Sequence, residues 1–276
     1  MEWRDEGALL GVRRHGENGV IIDTLTREHG RHAGMVRGGR RKDLAPILQP
    51  GAQLQLRWTA RLDEHLGQFE VEPLRERTSA IMNNRTTLAG FNAMSALIMI
   101  LVPEREPNGR LFEATMVALD AMAEGDWDWP ALYARWELVF LGALGYPLDL
   151  SRCAATGSRD DLVYVSPKSG RAVSREAGGP WADKMLPLPS FLTGPGKITN
   201  GAVREAMRMT GWFLEHWACP GLGCEKLPEA RARLLQAFEH LQVQAPPKRS
   251  SYNEDEESYN RQMGVDRVLL IPTSGG

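Results

Sequence analysis

The sequence is short of several things, and each shortage excludes a class of protein. Among 276 residues there are three cysteines, Cys153, Cys219 and Cys224. That is too few for a disulfide framework and fits a reducing cytoplasm. No apolar run approaches the ~20 residues that cross a bilayer. The opening "MEWRDEGALLGV" carries acids where a signal peptide needs a basic and then an apolar segment, so the expected location is cytoplasmic. Net charge is scarce too: −2, with a pI near 6.3. A site for a polyanion must therefore be a local concentration of charge. Catalytic signatures are missing, with no Walker-type loop, no G-x-S-x-G and no H-E-x-x-H, and the six histidines lack partners at recognised spacing. The chain reads as a non-enzyme. It has no internal repeats.

What is present begins with short alternating segments. "ALLGVRR", "GVIIDTLT", "RHAGMVRG", "AQLQLRWTA" and "GQFEVEPL" each read as a strand between turn residues. In "QLQLRW", Leu54, Leu56 and Trp58 face one way and Gln53, Gln55 and Arg57 the other. Five short strands suit a small closed barrel, because closure removes exposed edges. An oligonucleotide-binding (OB) fold is the commonest such barrel, and the pattern leaves an SH3-like barrel open.

After residue 80 the period becomes helical. "TTLAGFNAMSALIMILV" reads as a buried helix. "NGRLFEATMVALDAMAEG" follows, with Asn108 as N-cap and Gly125 as stop. In "DWPALYARWELVFLGALGYP", Asp128 caps, Pro130 sits in the first turn, and Gly145 and Pro147 end the helix. "NGAVREAMRMTGWFLEHW" and "PEARARLLQAFEHLQ" add two more. The Gly-, Ser- and Pro-rich stretch 148–196 interrupts the set and holds one obvious strand, "DLVYVS". From "APPKRSSYNEDEESYNRQMG" onward the composition predicts disorder, with "VDRVLLIP" a short apolar island.

The densest chemistry is basic. Between Arg27 and Lys42 stand six bases (Arg27, Arg31, Arg37, Arg40, Arg41 and Lys42) against one acid, Glu28. One reading is an exposed hairpin with solubilising charge. The other is a phosphate clamp, in which Gly34, Gly38 and Gly39 admit the backbone and arginine forks pair with phosphate oxygens. The barrel aromatics Trp3, Trp58 and Phe69 read as core or barrel-end residues, since a base-stacking surface needs several rings. Cys219, Cys224 and His216 fall short of a zinc set, lacking a second close pair.

The order of these segments carries a resemblance. "RRHGENGVIIDTLTREHG", then "VRGGRR", then "LQPG", then "RWELVFLGALGYPLDLSRC" resembles the bacterial DNA repair protein RecO family, over roughly residues 1 to 242. The resemblance implies an α+β multidomain chain. An N-terminal five-stranded OB barrel (1–80) is followed by an all-α helical domain (81–147 and 197–242). A small zinc-ribbon-like insertion lies at 148–196, and an acidic disordered tail at 243–276 stays outside the match. It implies a recombination mediator that binds single- and double-stranded DNA and anneals complementary strands. With RecR it helps RecA replace single-strand binding protein (SSB), whose C-terminal tail it also binds. The candidate DNA-contacting residues are Arg27, Arg31, Arg37, Arg40, Arg41, Lys42 and Arg57.

For the SSB tail, which is acidic with an apolar end, Arg110 and Arg135 are the candidates. They would stand beside a stripe of Leu132, Trp136, Val139 and Phe140 that reads equally as core. Many relatives carry four cysteines in the insertion. Here Cys153 remains and Ser174 stands where another thiol is expected, so no metal and no cofactor are expected. A protein-interaction adaptor and an RNA-binding OB protein are the competing readings.

Overall fold

The computed structural model describes residues 1–239; the acidic stretch and the apolar island lie outside the described residues. Within 1–239 the chain forms two compact units, Met1–Gly125 with Pro228–Arg231, and Asp126–Leu227 with Ala232 onward.

All five expected strands form: β1 (Glu2–His15), β2 (Gly19–Thr26), β3 (Gly30–Val36), β4 (Gln53–Thr59) and β5 (Gln68–Arg75). They close a barrel in the order β1-β2-β3-β5-β4. Closure comes from a parallel contact between β3 and β5 at Met35 and Gln68, the remaining pairs being antiparallel. β1 is longer than its apolar pattern indicates. Its first half, "EWRDEG", pairs with β4 from Glu2↔Thr59 to Gly7↔Leu54, and its second half pairs with β2.

The inward set is the one that period-two reading selects. Leu54, Leu56 and Trp58 are buried with Leu9, Val20, Ile22, Val36, Leu48 and Phe69. Gln53, Gln55 and Arg57 alternate outward. Burial of this set supplies the barrel's main stabilisation, roughly 1.5–3 kcal/mol for each large apolar side chain.

Three helices complete the first unit: α1 (Thr78–Met82), α2 (Arg85–Leu101) and α3 (Gly109–Glu124). The Asn84 side chain caps α2 by accepting from the Thr86 and Thr87 amides. Asn108 caps α3 as expected, accepting from the Leu111 N–H at 2.9 Å. Gly125 ends α3 at φ +72°, a conformation open to glycine at little cost. Arg77, nearly fully buried, donates to Asp120 of α3 and to Gln53 of β4, tying this helix to the barrel wall.

The second unit holds α4 (Trp129–Ala143), α5 (Arg175–Gly178), α6 (Asn200–Phe213), α7 (Cys219–Gly221) and most of α8 (Glu229–Glu239). Asp128 stands at the start of α4 but contributes its backbone carbonyl, to the Ala131 and Leu132 amides, rather than a side-chain cap. Leu132, Trp136, Val139 and Phe140 are all buried, with Trp136 stacked on Phe140, so this stripe is core. The buried Glu137 accepts from the Thr210 hydroxyl of α6.

The 148–196 stretch contains three strands where the sequence shows one. β6 (Leu162–Val165) lies between β7 (Ala172–Ser174) and β8 (Leu186–Pro187). β7 and β8 are too short to display a period.

Candidate nucleic-acid interface

The basic stretch divides into two groups once it folds. Arg27, just past β2, donates to Glu6 at 2.7 Å and to Glu113, and its guanidinium lies over the Phe112 ring. Arg31 on β3 donates to the Val102 carbonyl at 2.8 Å and to Glu104 at 3.2 Å, and its side chain is 15% exposed. Arg57 on β4 is held by Glu2 at 2.7 Å and Glu70 at 3.1 Å. These three are engaged with carboxylates of their own unit.

The second group is Arg37, Arg40, Arg41 and Lys42, all exposed, in the connection that follows β3. This connection is an ordered turn. Gly38 takes φ +65°, and the Arg41 amide donates back to the Gly38 carbonyl at 2.9 Å. Residues 41–48 then wind through Leu44→Arg41 and Leu48→Leu44 backbone bonds, planting Leu48 in the barrel core. Gly39 fits because a Cβ there would stand 2.5 Å from Val20 Cγ2 and 3.0 Å from Leu48 Cδ1. The glycines permit close packing against the barrel, which fixes the direction of the bases. Arg41 pairs with Asp43 at 2.8 Å, both well exposed, a contact worth little.

Sequence reasoning missed a neighbouring pair, Arg13 and Arg14. The β1–β2 hairpin pairs Arg13↔Ile21, Arg14↔Val20 and His15↔Gly19, and β2 then pairs Val20↔Val36 at the end of β3. The hairpin tip therefore stands beside the basic turn. The contact is direct: the Arg40 guanidinium donates to the Glu17 carbonyl at 2.7 Å, and its amide reaches the Asn18 carbonyl. Arg13 is exposed and 3.6 Å from Asp23. Burial raises the Asp23 carboxyl's pKa, against the lowering effect of Arg13 and Arg31. Arg14, Arg37 and Lys42 have no ion-pair partner among the described residues. The doubled arginine before Gly16 in "GVRRHGEN" was the available signal.

At the opposite end of β1, Trp3 stacks on His29 with ring centroids 4.0 Å apart and packs against Trp58, Phe69 and His32. Trp58 and Phe69 are buried. Burial pushes the pKa of His32 down, against the raising effect of its bond to the Ala33 carbonyl.

The remaining candidates lie apart from this surface. Arg110 is exposed in the first turn of α3, in the first unit. Arg135 belongs to the second unit, where its guanidinium donates to the Phe191 carbonyl at 2.5 and 3.1 Å. In the small sheet, buried Cys153 meets Ser174, whose amide donates to the sulfur at 3.3 Å and whose Oγ lies 3.5 Å away. Burial raises this thiol's pKa, but hydrogen bonds from Ser174 and Thr156 outweigh that and bring it down to about 6. A serine hydroxyl is outside the usual zinc ligand set. No group of three or more His, Cys, Asp or Glu is placed to hold a metal among the described residues. The residues present do not fit a zinc ribbon's ion.

A five-stranded barrel closed between β3 and β5, followed by helices, defines an OB-fold protein with a helical C-terminal region. Residues 1–77 match the family described as Recombination protein O N terminal, and residues 82–217 match Recombination protein O C terminal. A DNA repair protein RecO of Cereibacter sphaeroides is 56% identical over 236 residues, covering 86% of this chain and 98% of that protein. That of Roseobacter denitrificans is 52% identical over 238 residues, with the same coverage. That of Chelativorans sp. is 50% identical over 239 residues, covering 86% and 95%. The chain belongs to the RecO family of DNA repair proteins. No helix among the described residues is long and apolar enough to cross a membrane.

Proposed function

We propose that this chain is a non-enzymatic recombination mediator that grips the phosphates of single- and double-stranded DNA with Arg13, Arg14, Arg37, Arg40, Arg41 and Lys42. The observation that carries the reading is their adjacency on one end of an OB barrel, fixed by the Arg40–Glu17 bond, with few carboxylates to neutralise them. Phosphate contacts from such a surface are independent of base sequence, which is what annealing of arbitrary complementary strands requires. Arg27, Arg31 and Arg57 are paired with carboxylates of their own unit and would have to exchange those partners for a phosphate.

The partners in this proposal are RecR, RecA and SSB on gapped DNA, with the nucleoid as the site of action, a reading that membership of a DNA repair family supports. Arg110, exposed on α3, is the first candidate for the carboxylates of the SSB tail. Arg135 comes second because Phe191 already holds it. The chemistry assigns neither covalent catalysis nor a cofactor.

The test is a salt titration of DNA binding by the full chain and by a variant with Arg37, Arg40, Arg41 and Lys42 all changed to Ala. Every phosphate that the variant no longer neutralises should take about 0.7–0.9 off the slope of log K against log salt. An unchanged slope would remove the clamp. DNA and RNA of one sequence, compared directly, separate this reading from an RNA-binding one.

A further inference from the structure

The basic surface is under-neutralised where it stands. Arg14, Arg37 and Lys42 have no ion-pair partner among the described residues, and Arg41 and Arg13 have one each, the exposed Asp43 at 2.8 Å and the buried Asp23 at 3.6 Å. The same chain carries the complement. Residues 252–259 read Y-N-E-D-E-E-S-Y, with four successive carboxylates (Glu254, Asp255, Glu256 and Glu257), no base, and a tyrosine at each end. A row of negative charges flanked by aromatic rings has the recognition chemistry of a short single strand, which offers phosphates and stackable rings to a basic groove. This segment lies past residue 217, the last that the family models match. The Cereibacter sphaeroides relative aligns over 98% of its own length but 86% of this chain, so part of this chain has no counterpart in it.

We infer that the acidic segment Tyr252–Tyr259 occupies the Arg13–Arg14 and Arg37–Lys42 surface of its own barrel and competes there with nucleic acid. The competition half of the inference rests on the DNA-binding reading of that surface. The residues between Glu239, where α8 is last described, and Glu254 can span roughly 50 Å when extended. Tethering makes the encounter intramolecular, at an effective concentration near the millimolar range, so a weak charge contact suffices to occupy the site. Like any such contact it is screened, and the occupancy falls as salt rises.

Lys42 gives a direct readout, being the one lysine of the basic turn. Carbodiimide treatment of the full chain at low salt should join Lys42 to a carboxylate of Glu254–Glu257 within single chains, identified by peptide mass spectrometry. Salt of about 0.5 M or an added oligonucleotide should suppress the product. A full-length variant carrying Glu254→Gln, Asp255→Asn, Glu256→Gln and Glu257→Gln should lose the product and bind a labelled single strand roughly 3-fold tighter at low salt. Absence of a Lys42 product, or its formation only between two chains, overturns the inference. Equal DNA affinity of variant and parent, or no DNA binding by either while the Lys42 product forms, overturns the competition; the second result also removes the DNA-binding reading, whereas the first leaves it standing.

Discussion

Arg37 and Arg31 carry the same charge six positions apart, yet they have opposite surroundings. Arg37 is exposed beyond the end of β3, whereas Arg31 is folded down onto the Val102 carbonyl and Glu104. Arg37→Ala should therefore weaken DNA binding about 2- to 4-fold with stability unchanged, as removal of one charge-assisted bond to a phosphate implies. Arg31→Ala should leave DNA affinity nearly intact and lower unfolding stability by about 1–3 kcal/mol, since it removes hydrogen bonds to a charged donor that is mostly buried. Paired fluorescence binding and denaturant titrations check both. His32 supplies a pH signature. Burial holds its folded pKa below the unfolded value of about 6.5. Stability associated with it is present above that value and lost as pH falls, because the unfolded chain then takes up the proton more readily. The pH dependence of unfolding between about 6.5 and 5 should flatten in His32→Gln, even where the substitution lowers stability overall.

Elements show which patterns a chain can advertise. All five barrel strands and the helices α2, α3 and α4 were legible, because each is long enough to repeat its period or carries a cap such as Asn108 or Gly125. Strands β7 and β8 were not, having three and two residues, which no period can reveal. The start of β1 was missed for another reason. "EWRDEG" is polar because its ion pairs and its ladder with β4 lie on the barrel wall, where charge rather than alternation is the useful chemistry. The tie between α3 and the barrel was invisible as well, since Arg77, Asp120 and Gln53 are far apart in the chain. Asp120→Asn should destabilise the first unit by about 2–4 kcal/mol, because it leaves the buried Arg77 guanidinium short of its countercharge; Arg75 offers Asp120 a second partner but offers Arg77 none. Chemical denaturation followed by barrel tryptophan fluorescence measures it. The cap is a milder test: Asn108→Ala should cost about 1 kcal/mol.

For the molecule as a whole, the prediction concerns metal. The small sheet brings one buried thiol against Ser174, while Cys219 opens α7 and Cys224 follows it. Purified protein should hold far less than one zinc per chain, and a chelator should leave its melting temperature unchanged. One equivalent of tight zinc would show that the sheet recruits ligands from elsewhere. The family's charge logic is also a property of the whole chain. At a net charge of −2 the protein concentrates positive charge on one barrel end, so DNA affinity should fall steeply with salt although the bulk pI is near 6.3.

The sequence by itself determined the strand count of the barrel, the inward face of β4, the helical character of the second half and the family, because these rest on local periods, caps and ordered motifs that tertiary contacts do not rewrite. How each of the seven candidate bases is partnered was decided only by the tertiary structure. Arg27, Arg31 and Arg57 meet Glu6, Glu104 and Glu2 across long stretches of chain. Arg13 and Arg14 join Arg40 only because β2 carries the hairpin tip to the end of β3. A charge's availability depends on what lies within a few ångströms of it, and in a closed barrel those neighbours come from distant parts of the chain.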